Sequence, residues 1–323
     1  MSFKDFYKEE ELGKWFTEKQ KLFGDAANPN ILLMLAMEEE RIDFIAYHLE
    51  QGLNNGFDNR NQFLFNAAML GKLNLVKWLV SQGADINSIT TYGEDHSATP
   101  IFAAATNEHF EIITWLKENG AKICNIKNSN GHTIISSVAL LDGKTEIINL
   151  LVKLGADINE RNEDNTTPIY MAALAGKTES IKCLASLGAK IDEKVDTMSP
   201  IFIAASNGQI ESIKCLISLG VNVNVTDDNG MTPIFIAASK GHVNCIECLK
   251  SLGADINLKT NEGFTPFFLA VAACKIESMN CLKSLGADIN VKHNGGKTPF
   301  TFAKEVNELA EAAKWLEANG AQE

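Results

Sequence analysis

Hydrophobic positions along this chain come in paired clusters, and the pair recurs about every 33 residues. The stretch TPIFIAASKGHVNCIECLKSLGADIN, residues 232–257, shows the unit most fully. Pro233 suits the first turn of a helix, where its missing N–H costs nothing, and Thr232 is positioned to cap the same end. Ala237 and Ala238 are small enough for a neighbouring helix to approach closely. Gly241 breaks this first helix. Ile246, Leu249 and Leu252 then place an apolar stripe on a second one. Gly253 reads as the glycine just past its end, and Asp255, Asn257 and Asn261-Glu-Gly263 predict a turn leading to the next Thr-Pro.

Aligned on the Thr position, copies start at Gln62, Thr99, Thr133, Thr167, Ser199, Thr232, Thr265 and Thr298, with a worn copy at Ile31. A 33-residue period opening on Thr-Pro and passing through paired alanines resembles the ankyrin repeat. The resemblance covers roughly residues 30–321. One family feature is absent: Phe102, Tyr170, Phe202, Phe235 and Phe268 stand where the family's His follows Thr-Pro-Leu, so the bonds that His makes between repeats have no counterpart there. The resemblance implies an all-α repeat solenoid of helix-turn-helix units joined by β-hairpin loops, about nine repeats including the worn first copy and a C-terminal cap. One copy holds too few large side chains to bury a core alone, so stacking on neighbours must supply it. The expected organisation is an N-terminal helical cap over 1–30 and a single solenoid over 31–321.

The N-terminal segment supports a cap. Leu12, Trp15, Phe16, Leu22 and Phe23, with Phe3, Phe6 and Tyr7, give a broadly amphipathic pattern. Its lysines (Lys4, Lys8, Lys14, Lys19, Lys21) are matched by acids (Asp5, Glu9, Glu10, Glu11, Glu18), whereas membrane-surface helices favour a basic polar face. The worn copy keeps an apolar helix from Ile31 to Met37 and a Gly52 in phase. Between Gln62 and Thr99 the spacing lengthens, and the excess falls in SITTYGEDHSA, the longest hairpin tip of the array. The Thr133 copy departs most inside the array: Ile134 replaces Pro, and Ser136, Ser137 and Val138 replace the aromatic and alanine positions. The last copy turns Glu308, Glu311, Lys314 and Glu317 to solvent and stops at Gly320-Ala321, a polar terminal cap.

Composition narrows the function. A net charge of −12 argues against nucleic acid, whose binders cluster Lys and Arg. No apolar run reaches the 18 or so residues needed to cross a bilayer, and MSFKDFYKEEE lacks a signal-peptide core. Four of the seven cysteines (Cys183, Cys215, Cys248, Cys281) lie at one slot of the second helix, which elsewhere holds Tyr47, Trp78, Trp115, Leu150 and Trp315. Stacked helices lie roughly 8–10 Å apart, too far for disulfides between equivalent positions. That is a packing column of reduced thiols, which fits the cytoplasm. Cys245, Cys248 and His242 look like a metal or redox motif, but residues six apart on a helix do not converge, and no second ligand pair follows. The histidines (His48, His96, His109, His132, His242, His293) fall in separate repeats with no recurring nucleophile beside them. No metal, cofactor or catalytic residue is assigned, and the chain reads as a non-enzyme.

Recognition remains. The resemblance implies binding of a protein partner through hairpin tips and the concave first-helix face. On this chain those positions are the long tip (Tyr92, His96), the residue before each Thr (His132, Met198, Met231, Phe264) and the residues after each alanine pair (Asn107, Asn207, Lys240). Met198, Met231 and Phe264 occupy one slot in three successive copies, where exposure would favour polar residues, and Met and aromatics are enriched at interfaces. Asp196, Asp227, Asp228 and Glu262 beside them predict an acidic rim. The resemblance also implies sites for an asparaginyl hydroxylase at Asn87, Asn159, Asn257 and Asn290; Asn224 departs, having Asn222 where the acid belongs. The alternative role of these asparagines is to tie the hairpins by side-chain hydrogen bonds. The reading reached is a monomeric cytoplasmic scaffold or adaptor for a protein partner. Its alternative is a secreted effector of an intracellular bacterium or parasite, acting on a host protein in the host cytoplasm.

Overall fold

The computed structural model describes every residue except 1–7, 24–28, 55, 57, 93–95 and 142. It divides into two compact units: residues 1–138 with 146–163, and residues 139–145 with 164–323. Phe3, Phe6 and Tyr7 lie outside the described residues, as do the side chains of Phe16, Leu22 and Phe23.

The first unit opens with α1 (Glu9–Phe23), which lies against the pair α2 (Pro29–Glu38) and α3 (Ile42–Asn54). Trp15 carries that contact. Its ring sits 4.8 Å from the Phe44 ring, its indole N–H donates to Glu39 at 2.9 Å, and the Arg41 guanidinium lies over it at 5.2 Å. Lys19 also pairs with Glu39, which holds the Glu39 carboxyl below its ordinary range. The worn copy departs from expectation at its end, because α3 runs through Gly52 to Asn54. Next come α4 (Arg60–Met69) and α5 (Leu73–Ser81), then β1 (Thr90–Tyr92) and β2 (His96–Ala98), then α6 (Pro100–Thr106) and α7 (Phe110–Glu118). Lacking Thr-Pro, α4 begins two residues before Gln62, where the Asp58 carboxylate accepts the Arg60 N–H at 3.1 Å. α8 (Ile134–Ala139) and α9 (Thr145–Lys153) follow, their copy divided between the units.

The second unit is the regular part: α10 (Pro168–Leu174) with α11 (Thr178–Ser186), α12 (Pro200–Ser206) with α13 (Ile210–Ser218), α14 (Pro233–Lys240) with α15 (Val243–Ser251), α16 (Pro266–Ala272) with α17 (Ile276–Ser284), and α18 (Pro299–Glu305) with α19 (Ala310–Ala318). First helices pack on first helices and second on second, in two layers. Phe202, Phe235 and Phe268 and the pairs Ala204-Ala205 and Ala237-Ala238 are buried between neighbouring first helices. Ile246 and Leu249 are likewise buried, but Leu252 is 36% exposed because it is the cap residue where the chain leaves α15. Glu308, Glu311, Lys314 and Glu317 face solvent, as the terminal polar face requires.

Two local devices differ from expectation. Thr232 makes no side-chain cap: the Phe235 N–H bonds to the Thr232 main-chain carbonyl at 3.0 Å, and the hydroxyl is left buried without a partner. Thr167, Thr265 and Thr298 do cap, at 3.2–3.4 Å. Among the described residues only the long SITTYGEDHSA tip forms a two-stranded ladder, Thr90 opposite Ala98; other connections reduce to turns and single bridges such as Val195 with Met198. Gly241 ends α14 as expected, and does so in the left-handed region at φ 86°. Glu108 (φ 62°) and Cys274 (φ 51°) hold the equivalent position without glycine, a conformation costing about 1–2 kcal/mol.

In the Thr133 copy, Ser136 takes the place of the buried aromatic. Its hydroxyl lies 2.8 Å from the Thr133 hydroxyl, with both residues buried. A polar pair thus fills a slot where burying a Phe contributes about 1.5–3 kcal/mol. Among internal repeats, the amides of α8 and α9 should therefore exchange fastest with deuterium, since repeat arrays open locally. Protection over 134–153 equal to that over 233–251 would contradict this.

Candidate partner-binding face

Most hairpin tips begin with a motif that turns on itself. The Asp255 carboxylate accepts the Asn257 N–H at 2.9 Å, and Asp288 and Asp85 do the same for Asn290 and Asn87. Each Asn then reaches the next repeat. Its side-chain oxygen accepts the N–H of Lys122 from Asn87 (2.8 Å), of Asp255 from Asn224 (3.0 Å), of Asp288 from Asn257 (3.1 Å) and of Gln322 from Asn290 (2.8 Å). The Asn87 amide also donates to the Gly120 carbonyl at 3.2 Å. Asn87, Asn257 and Asn290 thus have the hydrogen-bonding role expected of them. Farther out, successive tips are joined directly. The Asn261 N–H donates to the Asn229 carbonyl at 2.9 Å, and the Asn294 N–H donates to the Glu262 carbonyl at 2.9 Å. The Asn261 and Asn294 side-chain amides add bonds to the Asp228 and Asn261 carbonyls, each 3.0 Å.

On this frame Met198, Met231 and Phe264 close equivalent turns immediately before Ser199, Thr232 and Thr265. The Val195 N–H donates to the Met198 carbonyl (2.8 Å), that of Asp227 to Met231 (2.9 Å) and that of Thr260 to Phe264 (2.9 Å). Their side chains are half-buried rather than fully exposed. For Phe264 the cause is aromatic packing, with the His293 ring stacked at 4.9 Å and the Phe268 ring edge-on at 4.9 Å. The expected acidic rim is also reduced. Asp227 is buried, its carboxylate accepting the N–H groups of Asn229 (2.9 Å) and Met231 (2.8 Å). Asp228 pairs with Lys194 at 2.8 Å. Asp196 and Glu262 remain at the surface.

The other candidates are less uniform. In the second unit, Asn207 and Lys240 are exposed at the C-terminal ends of α12 and α14, and the Asn207 amide donates back to the Ile203 carbonyl at 2.9 Å. In the first unit, the Asn107 amide does the same to Ala103 at 2.8 Å and borders a small cleft of about 60 Å³ with Phe65, Met69 and Phe102. His132 is half-buried, its N–H held by the Asn128 side chain at 3.0 Å. Tyr92 and His96 are paired across the ladder; their side chains lie outside the described residues.

A sequence model of ankyrin repeats, three copies per match, fits residues 64–162, 101–195, 136–227 and 201–293, together well over half of the chain. The chain belongs to the ankyrin repeat family. It is similar to the ankyrin repeat and KH domain-containing protein mask-1 of Caenorhabditis elegans (33% identical over 100 residues, 31% of this chain and 4% of that one). It also resembles alpha-latrocrustotoxin-Lt1a of Latrodectus tredecimguttatus (28% over 136 residues, 41% of this chain and 9% of the toxin). A third relative is the putative ankyrin repeat protein FPV031 of fowlpox virus (29% over 153 residues, 44% of this chain and 43% of that one). The chain thus spans less than half the length of each of these relatives. Ankyrin repeats are protein-interaction modules, so a protein partner follows from the family.

Sequence reasoning missed how these ankyrin repeats replace the absent Thr-Pro-Leu-His bonds. In three copies the residue before the second helix supplies a bond of that kind. His242 Nε2 lies 2.9 Å from the Ser206 carbonyl and His109 Nε2 lies 2.9 Å from the Met69 carbonyl, while the Gln209 amide donates to the Leu174 carbonyl at 3.3 Å. A carbonyl only accepts, so each imidazole carries its proton on Nε2. The signal was present as two His and a Gln in phase at that slot. It also explains why His242 does not join Cys245 and Cys248. Among the described residues no group of three or more His, Cys, Asp or Glu is placed to hold a metal ion, and no helix is long and apolar enough to cross a membrane.

The cysteine column is buried, as a packing column requires, and all seven thiols are free. Burial pushes the thiols of Cys183, Cys215, Cys248 and Cys281 up, and with Cys248 beside it Cys245 is pushed up to about 11. The thiolate is the reactive form. At pH 8 a thiol reagent should therefore label the half-exposed Cys124 and Cys274 first, and these five only as the protein opens. Mass spectrometry that finds any of the five labelled as fast as Cys124 would contradict the packing assignment.

Proposed function

We propose that the chain is a non-catalytic scaffold or adaptor that binds a protein partner through its hairpin tips and first-helix face. It acts as a monomer in the cytoplasm, with residues 31–321 as one array behind the helical cap of 1–30. The observation that carries this reading is the repeated slot in the second unit. Met198, Met231 and Phe264 close successive turns with half-exposed apolar side chains, beside exposed Asn207 and Lys240. The tips that carry Met231 and Phe264 are tied to one another by a main-chain bond and the Met198 tip is joined to its neighbour through Lys194 and Asp228, so they lose little freedom on binding, which favours affinity. In the first unit, the long tip with Tyr92 and His96, together with Asn107 and His132, offers contacts of the same type. The apolar slot supplies most of the affinity, and surface acids such as Asp196 and Glu262 speed encounter with a basic partner.

Free, buried cysteines support a reducing compartment. A second reading is a secreted effector of an intracellular bacterium or parasite that binds a host protein. Either reading places binding on the same face.

The test is a titration of a partner recovered on the intact chain. Met198→Gln with Met231→Gln keeps side-chain length while removing apolar surface, and should weaken binding at least tenfold, about 1.4 kcal/mol. The circular dichroism spectrum and melting curve should stay close to those of the parent. Unchanged affinity rules this face out, and a collapsed melting curve shows that the slot is core.

A further inference from the structure

A second surface of the first unit, on the side of the second helices, carries features that stacking does not require. Leu73 of α5, Phe110 and Trp115 of α7, and Leu150 of α9 line a shallow apolar groove of about 410 Å³. Phe110 is 37% exposed and Trp115 is half-exposed. In the second unit the slot of Trp115 holds a buried cysteine in four successive repeats, so the repeat packs without a bulky ring there. The indole N–H groups of Trp15 and Trp315 donate to Glu39 and Asn280 at 2.9 Å each. Among the described residues Trp115 has no such acceptor. A half-exposed Trp with its N–H open is the residue type that most often anchors an interface.

The charges around the groove select its occupant. Glu111, Trp115 and Glu118 lie at i, i+4 and i+7 of α7, hence on one face. Both acids are exposed and both border the groove, whose lining contains no Lys or Arg. Seven residues of helix span about 10 Å, so the backbone positions of the two acids lie about that far apart along α7, with Trp115 between them. A helix presenting Lys or Arg at i and i+7, with large apolar residues at i+3 and i+4, has the same spacing and the opposite charge. Leu73 and Leu150, on the helices either side of α7, would form the walls against which its apolar stripe packs.

We infer that this groove docks a basic amphipathic helix of a partner protein, with its two cations on Glu111 and Glu118 and its apolar ridge on Trp115 and Phe110. The site is separate from the hairpin face and stands without it. The two faces together would let one chain hold two partners at once.

The probe is a fluorescein-labelled sixteen-residue peptide with Leu at i+3 and i+4 and Lys at i and i+7; its control carries Glu in place of both Lys. Anisotropy titrations use the full chain, and indole NMR uses Trp115→Phe to assign the Trp115 signal. The Lys peptide should bind the parent chain and shift the Trp115 indole resonance. Glu111→Lys with Glu118→Lys, both at exposed positions, should weaken it at least tenfold and switch preference to the Glu peptide. Affinity indifferent to charge reversal, a Trp115 signal that stays still while peptide binds, or no binding of either peptide would overturn the proposal. Self-association of the chain abolished by Phe110→Ser would also overturn it, since the groove would then belong to a second copy.

Discussion

Close approach between neighbouring first helices is the constraint on which the rest depends. A pair of helices of seven to nine residues cannot bury an aromatic ring and several branched side chains within itself. Phe235 is fully buried only because α12 and α16 cover it from either side, and they come near enough only because Ala237 and Ala238 have nothing to hold them off. Side-chain size at two positions thus sets how closely the first helices stack, and the stacking sets where the loops between them emerge. The cysteine column reflects the same economy in the other layer, where a small soft side chain fills what the stack leaves.

Polar contacts then set the register between repeats. Asn87, Asn224, Asn257 and Asn290 each accept a main-chain N–H of the next closing motif, neighbouring outer tips exchange main-chain bonds, and His109, Gln209 and His242 reach back to the end of the preceding first helix. Each such bond contributes about 0.5–1.5 kcal/mol. Their common effect is to fix neighbouring tips against one another within each unit, which is what a binding face needs. Buried hydroxyls without partners, as at Thr232 and Ser199, show that capping is subordinate to this packing.

Much of this was legible in the sequence because the repeat supplies its own alignment: the helix pairs, the left-handed Gly241, the long tip after Asn87 and the terminal polar face all follow from residues in phase. What was not legible depended on side-chain direction. Asp227 looked like a surface acid, but its carboxylate folds back on its own turn. Phe264 looked exposed until His293 of the next tip was seen stacked on it. The Thr232 hydroxyl looked like a cap, but the carbonyl of the same residue took its place. Nor does a sequence show that Leu73, Trp115 and Leu150, scattered over nearly eighty residues, share one groove.

The central claim is that the array is held by nearest-neighbour packing through the alanine pairs. Ala237→Leu tests it most directly, by urea unfolding with hydrogen exchange read on the helices around it. The account predicts a loss of about 1–3 kcal/mol from overpacking, with faster exchange in both α14 and α16. An unchanged unfolding midpoint, or exchange disturbed in α14 alone, would contradict it.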